Sequence, residues 1–185
     1  NIRDDKLYSL GFGTYFSEDI KLDVTAYYED KDGYGVSPDS YSNTLGIYTR
    51  QAAAGLDVVH PRGVQYGLST VGGEREGIVA GLTWYMGDHK IEFGGWIEDD
   101  TYNRTQARLN KTGGSADGDV IMDEVAYYRR NYTAVRDTTQ LYVKDNFSMM
   151  DDNLMLEVGF KSLSIDYSLD GYRDYADYEI DSQPG

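Results

Sequence analysis

From Ile78 to Met86 every second residue is apolar or small: Ile78, Ala80, Leu82, Trp84 and Met86. Their neighbours Gly77, Val79, Gly81, Thr83 and Tyr85 are smaller or more polar. Gly87-Asp88-His89 interrupts the run, and alternation resumes as Ile91, Phe93, Gly95 and Ile97 against Lys90, Glu92, Gly94, Trp96 and Glu98. Period two on both sides of a short Gly-containing turn predicts a β-hairpin with one greasy face. Each arm runs about ten residues, the length of a strand crossing a bilayer at a tilt.

The same device occurs three times. Tyr8, Leu10, Phe12 and Phe16 precede a turn at Ser17-Glu18-Asp19, and Ile20, Leu22, Val24, Ala26 and Tyr28 follow it. Leu141, Val143 and Phe147 precede a turn near residue 151, and Leu154, Leu156, Val158 and Phe160 follow. The hairpins therefore cover about 6–30, 76–99 and 138–167, with turns near 18, 88 and 151. Between them, about 31–75 and 99–137 are long and polar and read as loops, and loops of that length are usually functional. Short turns at one end and long loops at the other predict an all-β fold. Its layout is an antiparallel up-and-down transmembrane β-barrel segment of about six strands, with short periplasmic turns and long extracellular loops. No 3.6-residue apolar stripe appears, so no helix longer than two turns is expected.

Two finer expectations follow from parity. Phe16, Trp84 and Phe147 share the apolar parity of their strands close to the turns, as the aromatics of a lipid interface do. In the last strand the apolar residues are even-numbered up to Phe160 and odd-numbered from Leu163, which predicts a β-bulge near Lys161-Ser162.

Composition narrows the class without changing the layout. The chain has 185 residues, no cysteine, and 18 Tyr and 21 Gly against 3 Pro. It contains no run of 18 apolar residues that could form a transmembrane helix. Mean hydropathy is −0.58, compatible with a barrel because half of each strand faces water. A net charge of −15 argues against nucleic acid as a partner, since phosphates need a basic surface. His60 and His89 have no ligand-like partner four residues on and read as solvated. The acidic turns Asp30-Lys31-Asp32-Gly33 and Asp117-Gly118-Asp119 do not continue to a bidentate Glu, so no metal is expected. No nucleophile or phosphate-loop motif is present, and neither an enzyme nor a cofactor is expected. The neighbours Asp99-Asp100 should diverge, as adjacent strand residues do. The polar stretch 99–137 instead mixes rings with guanidinium groups able to hold a ligand. Trp96, Tyr102, Arg104, Tyr128 and Arg130 are its candidate substrate contacts.

Leu141-Tyr142-Val143-Lys144-Asp145-Asn146-Phe147, followed after a short gap by Asp152-Asn153-Leu154-Met155-Leu156-Glu157-Val158-Gly159-Phe160-Lys161, resembles a barrel hairpin of TonB-dependent outer-membrane receptors. Arg75-Glu76-Gly77 with Gly87-Asp88-His89 and Gly95-Trp96-Ile97-Glu98-Asp99 is similar to a mid-barrel hairpin of the same family. The resemblance implies a fragment of the barrel domain, without the plug, in the outer membrane of a Gram-negative bacterium. It further implies energy-coupled uptake of a scarce bulky nutrient such as a siderophore, cobalamin or oligosaccharide. The expected partners are outer-membrane lipid, that small-molecule or oligosaccharide substrate, and an inner-membrane energy-transducing complex reached through an N-terminal part absent from these residues. A passive porin and a soluble secreted glycan-binding β-domain are the alternatives.

Overall fold

A computed structural model describes residues 2–36, 44–150 and 153–173. The chain forms one antiparallel sheet: β1 (Ile2–Arg3), β2 (Lys6–Tyr15), β3 (Ile20–Val36), β4 (Tyr66–Met86), β5 (His89–Lys111), β6 (Val120–Met149) and β7 (Leu154–Tyr172). β1 and β2 lie end to end along β3, so the seven strands occupy six positions. The order follows the sequence, β3-β4-β5-β6-β7, as hairpin connections dictate. The first two turns fall where expected, and the third is flanked by Met150 and Asn153, whose N–H donates to the Met150 carbonyl at 3.1 Å. Its apex, 151–152, lies outside the described residues. The sheet is open: β2 and β7 are its edges and do not pair with each other.

Register makes three separate hairpins into one surface. Leu22 faces Leu82, Leu82 faces Phe93, Phe93 faces Val143 and Val143 faces Phe160. Neighbouring rows repeat this, for example Phe12–Val24–Ala80–Gly95–Leu141. Because side chains alternate strictly, these rows share one face, and the apolar band on it is continuous across all six positions. It is also uncovered: Leu10 is 78 % exposed, Phe160 70 % and Phe12 62 %. Phe16, Trp84 and Phe147 lie on this face, close to the turns, as their parity predicted. One carboxylate interrupts the band, Asp145, which lies 2.7 Å from His89 Nδ1. Phe147 stacks on that imidazole at 4.3 Å, so His89 is half-buried rather than merely solvated. Above the band, Glu76, Asp99, Asp137 and Asp166 stand side by side in one exposed row.

The band runs obliquely to the rows. The first hairpin turns just below the row of Ile20 and Trp84, the second at Met86–His89 one row lower, the third at Met149–Leu154 one row lower again. The upper edge descends the same way, from Leu10 and Tyr8 on β2 through Ile78 and Ile97 to Leu141 and then Phe160.

Three expectations are corrected. The stretch 99–137 is mostly strand, since β5 extends to Lys111 and β6 starts at Val120, and 31–75 is strand at both ends, β3 continuing to Val36 and β4 beginning at Tyr66. Polarity had marked them as loops. Outside the apolar band, however, a strand has no greasy face to display, and Thr, Tyr and Val hold these segments extended. The β-bulge at Lys161-Ser162 is absent: β6 and β7 pair without a shift, Val143 with Phe160 and Gln140 with Leu163. Leu163, Ile165 and Tyr167 therefore lie on the opposite face from Phe160, and the inversion marks the place where the band ends on β7.

The third correction is a helix. α1 (Thr44–Ala53) runs close to three turns, not two or fewer. Gly55 ends it with φ +85°, Leu56 N–H donating to Gln51 O and Gly55 N–H to Ala52 O, a Schellman cap. Ile47 and Gln51, four residues apart, dock it on β6, Ile47 against Ala126 and Tyr127. Gln51 makes two bonds to one backbone residue: its Nε2 donates to Tyr128 O at 2.6 Å and its Oε1 accepts from Tyr128 N at 2.9 Å. β7 pairs with β6 as far as Asn131, and among the described residues no strand lies beside this stretch of edge. The amide stands in for the missing partner. Val59 N–H does the same for Val125 O at 2.7 Å.

Gln51→Ala should cost about 1–3 kcal/mol by leaving the Tyr128 N–H and C=O unpaired. Gln51→Glu, which can accept but not donate at neutral pH, should recover part of that. Chemical unfolding supplies the energies, and hydrogen exchange at the Tyr128 amide should accelerate in Gln51→Ala.

Candidate functional site

The face opposite the apolar band carries the charge. Glu29, Arg75, Asp100 and Arg136 stand in one register row across β3, β4, β5 and β6, acid and base alternating. Opposite charges across a sheet attract, whereas the exposed carboxylate row on the other face repels. Arg75 binds Glu29 at 2.7 Å and Arg136 binds Asp100 at 2.9 Å. Lys31, one row higher, reaches Asp100 at 2.6 Å.

Glu98 closes the group from the row below. Its side chain is only 2 % exposed and takes Arg136 at 3.0 Å, with Arg75 Nε at 3.9 Å. Its second oxygen accepts from the Tyr27 hydroxyl at 2.5 Å, and that hydroxyl accepts from Trp96 Nε1 at 2.7 Å. Tyr27 on β3 reaches Glu98 on β5 because Gly77 stands between them on β4 without a side chain. A Cβ on Gly77 would press on the tyrosine ring and come within 2.7 Å of Ile97 O. Arg75 lies 5.8 Å from the centre of the same ring. Three bases, Lys31, Arg75 and Arg136, thus balance three acids, Glu29, Glu98 and Asp100. A cleft of about 370 Å³ lies at this level of the sheet, lined by Ala26, Glu76, Ile78, Ile97 and Asp99 of the apolar-band face together with Tyr27, Gly77 and Glu98. Tyr142 repeats the device lower down, leaning over Gly94 towards Gly81.

Asp99 and Asp100 diverge as expected, Asp99 to the exposed carboxylate row and Asp100 into the ladder. The predicted substrate contacts separate into three places. Tyr102, Arg104 and Arg130 come together above the ladder, with Arg104 opposite Tyr132 and Gln106 opposite Arg130. The Tyr102 and Tyr132 rings lie 6.5 Å apart, tilted by 49°. Trp96 lies on the same face but lower, committed to Tyr27. Tyr128 lies beyond a register shift at Arg129, its backbone held by Gln51. Burial, with the Asp57 carboxylate near, pushes its phenol up from the ordinary value.

No family model, no curated protein and no solved structure matches this chain.

Sequence reading missed Tyr27, Arg75, Glu98, Arg136 and Tyr132 as members of one surface. A signal existed in Arg75-Glu76-Gly77 and Glu98-Asp99-Asp100, where charges two apart share a face. Their partners lie up to 71 residues away, and only the register selects them. Among the described residues no three His, Asp or Glu side chains are gathered as metal ligands would be.

Glu98→Leu should destabilise by about 2–3 kcal/mol, since Tyr27 and Arg136 lose the carboxylate they bind while Glu29 and Asp100 still pair the two arginines. Tyr27→Phe, removing one hydroxyl, should cost about 1–2 kcal/mol. Denaturant midpoints of the two variants, measured under the same conditions, give the comparison.

Proposed function

We propose that the chain is part of a transmembrane β-barrel of the outer membrane, resembling a TonB-dependent receptor. Its apolar face meets lipid and its charged face meets the lumen. The observation that carries the reading is the oblique stagger of the band. Each hairpin turn sits two residues lower than the last, about 6.6 Å along the strand for two strand spacings of about 4.8 Å. That ratio corresponds to a tilt of about 35°. The upper edge, two to three rows lower on β7 than on β2, gives roughly 30–40° by the same spacings. Strands in outer-membrane barrels tilt by about 35–45°, because closure imposes shear. A level sheet of lipid cutting tilted strands produces this slope. Ile78 to Met86 spans about 27 Å along β4 and about 21 Å in height at such a tilt, close to the apolar band of about 25 Å in such barrels once side-chain widths are added.

Three further features support the reading. The aromatics Phe16, Trp84 and Phe147 follow the lower edge, where an interfacial girdle belongs. The carboxylates Glu76, Asp99, Asp137 and Asp166 stand outside the band, where water is available. The strand edges at β2 and β7 run in opposite directions, so further strands can continue the antiparallel sheet to closure.

In this reading the strands rise well beyond the membrane, and the candidate contacts Tyr102, Arg104 and Arg130 line the outer part of the lumen. A small molecule or oligosaccharide arriving from outside meets them first. Trp96 serves the wall rather than the substrate, and Tyr128 the docking of α1. Energy coupling, as in the receptors it resembles, would act through other parts of the protein.

Leu82 sits mid-band and Thr83 faces the lumen, so Leu82→Arg should cost about 2–4 kcal/mol more than Thr83→Arg in folding into bilayers. Equal penalties, or a full-length protein that partitions into the aqueous rather than the detergent phase, would remove the membrane reading.

A further inference from the structure

Above the ladder the charged face changes character. β4 contributes Val71 and Ser69, β5 Arg104 and Gln106, β6 Tyr132 and Arg130, and none of these is acidic. Arg104 pairs with Tyr132 and Arg130 with Gln106, which makes the two arginines diagonal neighbours on one face. Diagonal positions lie about 7–8 Å apart, within reach of one small group between long side chains.

Both arginines are half-buried, and each holds a buried Nε–H with no hydrogen-bond partner. Among the described residues no carboxylate pairs with either. A partnerless Nε occurs also on Arg75, Arg129 and Arg136, and the contrast lies in the carboxylates: Arg3, Arg62, Arg75 and Arg136 each bind an acid. In a protein of net charge −15, carboxylates are in excess, and two adjacent guanidinium groups without one are set apart by placement. Guanidinium forks match the paired oxygens of carboxylate and phosphate, and lose that match when replaced by ammonium. The Tyr102 and Tyr132 rings stand next to Arg104, Tyr132 directly opposite it and Tyr102 two residues before it on the same face.

We propose that Arg104 and Arg130 form a two-armed clamp for an oxyanion, the carboxylate or phosphate group of the incoming substrate. This names the ligand class of the face already read as substrate-contacting, and it rests on that reading.

The test uses the full-length protein in detergent at low salt, with citrate and inorganic phosphate as probes, titrated calorimetrically. At least one probe should bind, with an affinity that falls as salt rises. Arg104→Gln and Arg130→Gln should each weaken it tenfold or more. Arg104→Lys should also weaken it, by less, because charge remains while the fork is lost. Lys161→Gln, on the same face of β7 but away from the pair, should leave binding unchanged. Which probe binds more tightly assigns carboxylate or phosphate. No binding by the unaltered protein, or glutamine variants that bind as tightly as it does, would overturn the clamp. Detergent-phase partition is read on the same samples. Lost anion binding with intact partition counts against the clamp alone. Failed partition counts against the barrel, and the calorimetry still decides the clamp.

Discussion

Everything on both faces depends on a single register. From the turns up to Asn131, β6 and β7 pair without a shift, and β3 with β4 over their whole length. A slip of one residue on any strand would turn its apolar set to the polar face and its charges to the band. Moving β5 alone would carry Glu98 and Asp100 into the band beside Ile78 and bring Ile97 among Arg75, Arg136 and Tyr27. The apolar rows and the ion-pair ladder therefore specify the same alignment from opposite sides of the sheet. Neither would need to be strong by itself, because each removes the alternatives that the other leaves.

Glycine gives the polar face its reach. Long side chains normally meet only the adjacent strand, but Tyr27 crosses β4 above Gly77 and Tyr142 crosses β5 above Gly94. The rings cover backbone that would otherwise lie bare and tie three strands with one side chain, as aromatic cover does elsewhere over sheet glycines. Glu98 is the beneficiary. A carboxylate so thoroughly removed from water is tolerated because the Tyr27 hydroxyl and the Arg136 guanidinium hydrogen-bond it and the charge of Arg75 lies nearby.

Beyond the apolar band the organisation changes from faces to edges. β5 and β6 continue after β7 has ended, and register shifts at Arg129 and near Ala126 bend β6 there. α1 and the segment after it cover part of the exposed edge with a side-chain amide and a backbone N–H. Asn110, fully buried, holds the same segment by accepting from Arg62 N and donating to His60 O. The candidate contacts thus stand on long paired strands. That is a firmer support for binding geometry than free loops would be.

The sequence by itself determined the three hairpins, their turns, the face each strand would show, and the all-β class. These are local matters: period-two alternation, Gly-Asp at a turn, and aromatic and β-branched residues between. It also contained the stop of α1 in Gln51-Ala52-Ala53-Ala54-Gly55, a run that polarity nearby concealed. What only the tertiary structure decided was how the hairpins align. The three apolar runs look alike in sequence, and nothing in any one of them says that the next sits two residues lower. Nor could sequence join Glu98 to Tyr27 or distinguish paired Arg136 from unpaired Arg104, since charge is a property of a residue but neutralisation belongs to its neighbours. The extended stretches beyond the band were illegible for a related reason. With polar side chains on both faces, their strands are recorded only in the backbone pairing, which the sequence does not spell out.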